Sequence, residues 1–330
     1  MKKFLSTILA VVMVLSSMAM VVSANNADYA EGYYYVNGVQ YTDFMAAVSA
    51  ANGGTVIVSG ECAFGSRLAV NSSVTLQGVN DATIVPSASY GSTDSTTNWK
   101  GLLNIAGENV IVNDITFDGS IYGDTVSMST DFVPVRCTSG TITLDNVTIK
   151  GSKRSLLLIG SSTTTADVTV GENGLYCEGY TGKTIIEGNS YPDVNVIDGN
   201  FTMAYGVVNG FIAEDHETEQ GEMNVTAAGH YTFEYTSGVN VCTTPKHIAD
   251  TYLASNVNWL EAQSYMRYLK SNDDKVVEML QYVYTNRATM TEEVADWSSM
   301  LADMISKDTF KSYKSYLEKY QTILNGTYNA

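Results

Sequence analysis

The chain has 330 residues, 45% of them hydrophobic and 16% charged, and its 18 basic and 35 acidic side chains leave a net charge of −17. That is globular composition, neither disordered nor collagen-like. The negative balance argues against duplex nucleic acid or an anionic membrane surface as partner, because either would repel it. Four cysteines are too few for a disulfide scaffold, and their wide sequence separation predicts buried thiols with at most one bridge.

Met1-Lys2-Lys3 supplies a positive start, Phe4 to Val22 an apolar run, and Val22-Ser23-Ala24 a small-residue site before Asn25. The pattern predicts a secretory signal peptide, residues 1–24. No later stretch reaches the ~18 apolar residues of a membrane span. The mature chain is therefore expected to be secreted or extracellular, including association with the cell surface, with no membrane span after signal cleavage.

Composition divides the rest. Residues 25–254 carry 25 acidic and 8 basic side chains with all four Pro and all four Cys, whereas residues 255–330 carry 10 acidic and 8 basic with no Pro. In the first part an apolar, polar, apolar triplet recurs at Val56-Ile57-Val58, Val74-Thr75-Leu76, Ile115-Thr116-Phe117, Val147-Thr148-Ile149, Val168-Thr169-Val170, Val194-Asn195-Val196 and Met223-Asn224-Val225. Asn109–Ser120 and Thr141–Ser152 align without a gap. Short strands of this kind bury an inner face only by stacking on one another, ~4.8 Å apart. The expectation is a single register of stacked coils, roughly 25 residues each. It opens with a Tyr33–Tyr41 hairpin about Asn37-Gly38 and a short helix that Thr42 caps.

These residues resemble a family. The triplet ladder is similar to the right-handed parallel β-helix of pectin-lyase-like proteins. Asn37-Gly38-Val39-Gln40-Tyr41 with Phe44, Ala46-Ala47-Val48 and Ala50-Ala51 resembles the opening of many secreted bacterial surface proteins of that kind. Gly229-His230-Tyr231-Thr232-Phe233, followed by His247 to Leu253, resembles their closing segment. The resemblance implies an all-β solenoid over residues 25–254 with an N-terminal capping helix. A small α-helical domain is expected at 255–330, from periodic apolar positions at Val257, Leu260, Leu269, Val276, Leu280, Val294, Trp297, Leu301, Phe310, Tyr313, Leu317, Tyr320 and Leu324. Asp273 or Asp274, a Thr289 to Glu292 capping box and Asp308 are read as helix starts. Those helices are expected to pack on a partner or on the end of the β-stack.

The chemistry in the sequence is sparse. Lyases of the resembled family use calcium-bound carboxylates and an Arg base near a Pro; here Pro134 and Arg136 stand together without the flanking arginines. Glu214, Asp215, His216, Glu217 and Glu219 form an acidic run around a histidine, read chiefly as a solvated loop. No catalytic set is complete, and Arg136, Glu214 and His216 are the residues that come nearest to one. His216, His230 and His247 each lack a second ligand at zinc spacing. The residues before the triplets include Asp114, Asp167, Asp193 and Glu222; stacked in one column they would repel, which points to calcium as the one candidate cofactor. Asp118 aligns with Lys150 as a structural charge pair. Tyr33, Tyr34, Tyr35, Tyr90, Tyr122, Tyr176 and Tyr180 are candidates for stacking on sugars or for packing. The functional expectation is non-catalytic binding, adhesion or structure, with extracellular polysaccharide or a surface protein as partner. The alternative is a polysaccharide lyase or glycoside hydrolase.

Overall fold

A computed structural model describes residues 28–88, 90, 99–120, 131–152, 155–179, 192–214, 220–234, 240–254 and 266–328. The expected signal peptide, residues 1–24, lies outside the described residues, as do Asp215, His216, Glu217, Glu219, Tyr122, Tyr180, Val257 and Leu260.

The hairpin forms where the sequence places it. β1 (Tyr33–Val36) and β2 (Val39–Tyr41) pair antiparallel about Asn37 and Gly38, whose φ values of 51° and 79° give the turn the twist its strands need. α1 (Phe44–Ala51) follows. Its cap is Asp43 rather than Thr42: the Asp43 carboxylate accepts the Ala46 N–H at 2.7 Å. Phe44, Ala47 and Val48 turn inward and join the core at the start of the strands.

The architecture corrects the expected all-β solenoid. Among the described residues there are a 13-stranded, mostly parallel sheet, an eight-stranded sheet of mixed direction, a two-stranded pair and six helices, so the chain is mixed α/β. A pure stack of coils would run every strand in one direction. Here the first hairpin adds antiparallel strands to the large sheet, and Tyr231–Glu234 and Asn240–Thr243 add antiparallel pairs to the second. The late helices build a core of their own.

The large sheet consists of two parallel runs. One joins Thr116–Asp118, Val147–Lys150, Leu175–Glu178 and Gly206–Val208. The other joins Asn109–Asn113, Gly140–Asp145, Ala166–Val170, Asp198–Met203 and Gln220–Val225. Both meet on the strand Val74–Pro86, whose first residues pair with Val110–Asn113 and whose last pair with Thr116–Phe117. It turns at Asn80 and Asp81, both at φ 54°; Asn and Asp adopt this left-handed conformation more readily than other side chains.

The single register expected for the seven triplets is corrected as well. Ile115, just before its strand, and Val147 are buried in neighbouring segments of one run, but Val168 pairs with Ile142 in the other, and Val194 lies in the second sheet between Leu157 and Ile212. The reason is that a period of two marks any strand with one buried face and says nothing about which run it joins.

The second sheet runs parallel through Leu68–Val70, Leu103–Ile105, Val135–Cys137, Leu157–Ile159, Val194–Val196 and Phe211–Glu214. Its inward side chains and those of both runs form one apolar cluster. Phe211, Phe233 and Val241 instead join a second cluster with α2 (Pro245–Ala254), α3 (Asp273–Thr285), α4 (Thr291–Ser306) and α5 (Lys314–Leu324). The Trp297 indole N–H donates to Pro245 O at 2.8 Å, and the Tyr320 hydroxyl donates to the Asp273 carboxylate, which also pairs with Lys319. The helices thus cover the end of the second sheet. Their starts differ from the sequence reading. α3 is preceded by Asn272, α4 by Met290 without a side-chain cap, and Asp308 opens a short 3-10 turn, Asp308–Tyr313, before α5. No helix among the described residues is long and apolar enough to cross a membrane.

All four cysteines, Cys62, Cys137, Cys177 and Cys242, are buried as thiols rather than disulfides. Burial pushes the Cys137 thiol up to about 12, far from the thiolate that reagents attack. A thiol reagent should therefore leave the native protein unlabelled and modify all four cysteines after denaturation, a difference that mass spectrometry reads directly.

Candidate functional site

The outward side of the second sheet is where chemistry-bearing side chains collect. Pairing places Ala69, Asn104, Arg136, Leu158, Asn195 and Ala213 in one row; the first five are middle residues of three-residue strands whose flanking residues are buried, while Ala213 joins the helical cluster. Steps along the row are ~4.8 Å. Arg67 stands two residues before Ala69, just outside its strand. Burial lowers the Arg136 guanidinium from its ordinary value, and the positive charge of Arg67 lowers it further. Asn104 is Arg136's neighbour in the row. The Asn104 Oδ1 is buried and has no hydrogen-bond partner among the described residues.

The four carboxylates expected to line one column do not. Asp114 sits at a left-handed turn with φ 57°, and both its oxygens are taken by amides: Gln77 Nε2 and Asn146 Nδ2 donate at 2.6 Å each. Asp167 accepts the backbone and side-chain N–H groups of Asn200 at 3.2 and 2.7 Å. Glu222 is exposed and separated from Asp167 by Asn200 in the ladder. Asp193 belongs to the second sheet. It is fully buried and accepts the Gly210 N–H at 2.8 Å. Gly179 and Gly210 are needed around it, since a Cβ on either would come within 1.9 or 2.2 Å of its carboxylate. No group of three or more His, Cys, Asp or Glu is positioned for a metal among the described residues.

Asparagines recur beside these acids. Asp145 accepts two hydrogen bonds from Asn173, at 2.7 and 2.8 Å. Glu214, a candidate acid or base in the sequence, is a structural clamp: it accepts Met223 N–H at 3.2 Å, Asn240 N–H at 3.0 Å and Asn240 Nδ2 at 2.9 Å. Its carboxylate ties the last strand of the large sheet to the second sheet. Asp118 and Lys150 form the expected pair at 3.5 Å. Of the tyrosines, Tyr34, Tyr35 and Tyr90 are buried, while Tyr176 is exposed on a strand.

Arg136 was visible from its proline neighbour. Asn104 was missed, although Leu68-Ala69-Val70, Leu103-Asn104-Ile105 and Val135-Arg136-Cys137 repeat the same triplet and would have placed it. Comparison with protein-family models, with curated proteins and with solved structures found no match.

Two predictions follow from these hydrogen bonds. Removing the clamp with Glu214→Ala should cost about 1–3 kcal/mol in urea unfolding, because three part-buried N–H donors lose their acceptor; Asp167→Ala, at an exposed pair, should cost about 0.5–1.5 kcal/mol. The second concerns His230, whose Nε2 accepts the Val208 N–H at 3.1 Å. Burial lowers its pKa below the ordinary 6.5. Below pH 6.5 the unfolded chain therefore takes up a proton that the folded one does not, and stability falls as pH drops toward the folded value. His230→Gln should flatten that part of a stability curve measured from pH 7.5 to about 5.

Proposed function

We propose that this chain is an exported, non-catalytic binding protein that holds extracellular glycan on the outward face of its second sheet. The observation that carries the reading is the row itself. Asn104, Arg136 and Asn195 place hydrogen-bonding side chains in register, strands ~4.8 Å apart, along this row. The N-terminal pattern of Met1–Ala24 supports export. Binding is favoured over turnover by placement. Arg136 is flanked in its row by Asn104 and Leu158, and Glu214 lies three strands away, roughly 14 Å, with its oxygens engaged as a clamp. Among the described residues an acid and a base do not converge on one scissile bond there.

The test is a panel of acidic and neutral polysaccharides, with binding followed by affinity electrophoresis and cleavage by the release of reducing ends. Retardation by at least one glycan with no new ends is expected. New ends that disappear in Arg136→Ala would overturn the reading in favour of an enzyme.

A further inference from the structure

The far end of the large sheet is closed by side chains rather than by a further strand. Gly206–Val208 and Gln220–Val225 are the outermost strands of its two runs among the described residues. On the inner side of Gly206–Val208, the Leu175 N–H donates to Tyr205 O and the Asn209 N–H donates to Cys177 O. Alternate residues of a strand turn their backbone groups to opposite sides, so those of Gly206 and Val208 face the open edge. There the Val208 N–H donates to His230 Nε2 at 3.1 Å. His230 ends a short turn that seals the stack. Thr226 N–H donates to Met203 O, Ala227 is buried in the main apolar cluster, and His230 N–H donates to Ala227 O. On the other run Glu214 takes the Met223 N–H in the same way.

The surface around this edge is apolar. Of the seven large hydrophobic side chains exposed among the described residues, Tyr176 (39%), Tyr205 (50%) and Val207 (41%) lie here, and Val207 pairs with Tyr176 in the ladder. A strand edge flanked by apolar side chains is a template for another strand unless something covers it.

We propose that the edge of Gly206–Val208 is an acid-unlocked interface for a second copy of this chain, with His230 as its latch. The latch holds through an acceptor. A protonated imidazole carries N–H at both ring nitrogens and accepts nothing, so donor then faces donor at Val208 and the turn lets go. The groups that face the ring are the Val208 N–H and the carbonyls of Ala227 and Ala228, and no charged side chain of the described residues contributes to its affinity for a proton. Tyr231, next in the chain, is pushed up by burial; Cys177, the ladder partner of Val208, is a buried thiol, and Glu178 beyond it is exposed. The latch is therefore opened by His230 itself, below its ordinary 6.5.

The second copy is the partner because the surface is its own complement. An antiparallel pair about a twofold axis at Val207 sets Gly206 of one copy opposite Val208 of the other and gathers the exposed tyrosines and valines of both. The net charge of −17 keeps copies apart at neutral pH. Acid weakens that repulsion as carboxylates protonate, in the same direction of pH that frees the edge.

Light scattering of the full chain at about pH 7.5 and about pH 5 tests this. A monomer is expected at the higher pH and a twofold mass at the lower, with the far-ultraviolet circular dichroism of the folded chain at both. Salt at about 0.5 M screens charge without touching the latch, so the neutral sample should stay monomeric in it. Val207→Lys places a charge in the middle of the edge and should weaken association at about pH 5 at least tenfold. His230→Gln, whose side-chain oxygen is an acceptor at either pH, should do the same. If His230→Gln does not fold, Val207→Lys, at an exposed position, carries the test alone. A wild-type monomer at the lower pH, or a dimer that Val207→Lys leaves intact, overturns the interface. A dimer at neutral pH, with or without salt, or one that folded His230→Gln retains, overturns the latch.

Discussion

Parallel strands stacked ~4.8 Å apart set residues of equal position above one another, and a chain with 35 acidic side chains meets the difficulty that like charges then face each other. The solution is an amide on the neighbouring strand or turn. Asp114 meets Asn146, Asp145 meets Asn173, Asp167 meets Asn200 and Glu214 meets Asn240. An asparagine donates to a carboxylate without adding charge, so negative residues are spaced along the ladder and each hydrogen bond adds a cross-strand tie. The acidic character of the surface and the regularity of the sheets are therefore compatible without bound cations at these pairs.

The second sheet carries few charges on its strands, Arg136 against Glu214 and Glu234. Its row has amides and aliphatics around Arg136, and only at its far end do the strands pass under the helices. The helical segment, whose apolar seam of Phe310, Leu317, Tyr320 and Leu324 needed a partner, finds it in Phe211, Phe233 and Val241 of the same chain. That contact buries the end of the second sheet, where exposed strand edges invite unwanted pairing.

Much of this was legible in the sequence, and the limits have physical causes. The NG hairpin, the first short helix, the Asp118–Lys150 pair and the apolar faces of the late helices were readable because turn chemistry and periodicity are local. The assignment of strands to runs was not, because Val168 and Val194 carry the same pattern in different sheets. The misplaced acidic column has the same origin: Asp193 precedes a triplet as Asp167 does, yet one is buried beside Gly210 and the other lies at the surface beside Asn200. Arg67 sits just outside its strand, where periodicity ends. Residue-by-residue reading sees composition along a line; sites such as this exist only across strands.

The strand Val74–Pro86, shared by both runs of the large sheet, makes resistance to damage uneven along the chain. Loss of an outermost strand, Gly206–Val208 or Gln220–Val225, shortens one run and leaves the remainder hydrogen-bonded. A break at the bend of Asn80 and Asp81 instead separates the two runs where they join, and with them the segment Thr55–Phe64 that pairs along nearly the whole of that strand. Local opening is cheapest where few contacts depend on the opened residues. The chain is accordingly most forgiving of insertion or cleavage in its late strands and least forgiving in residues 55–86.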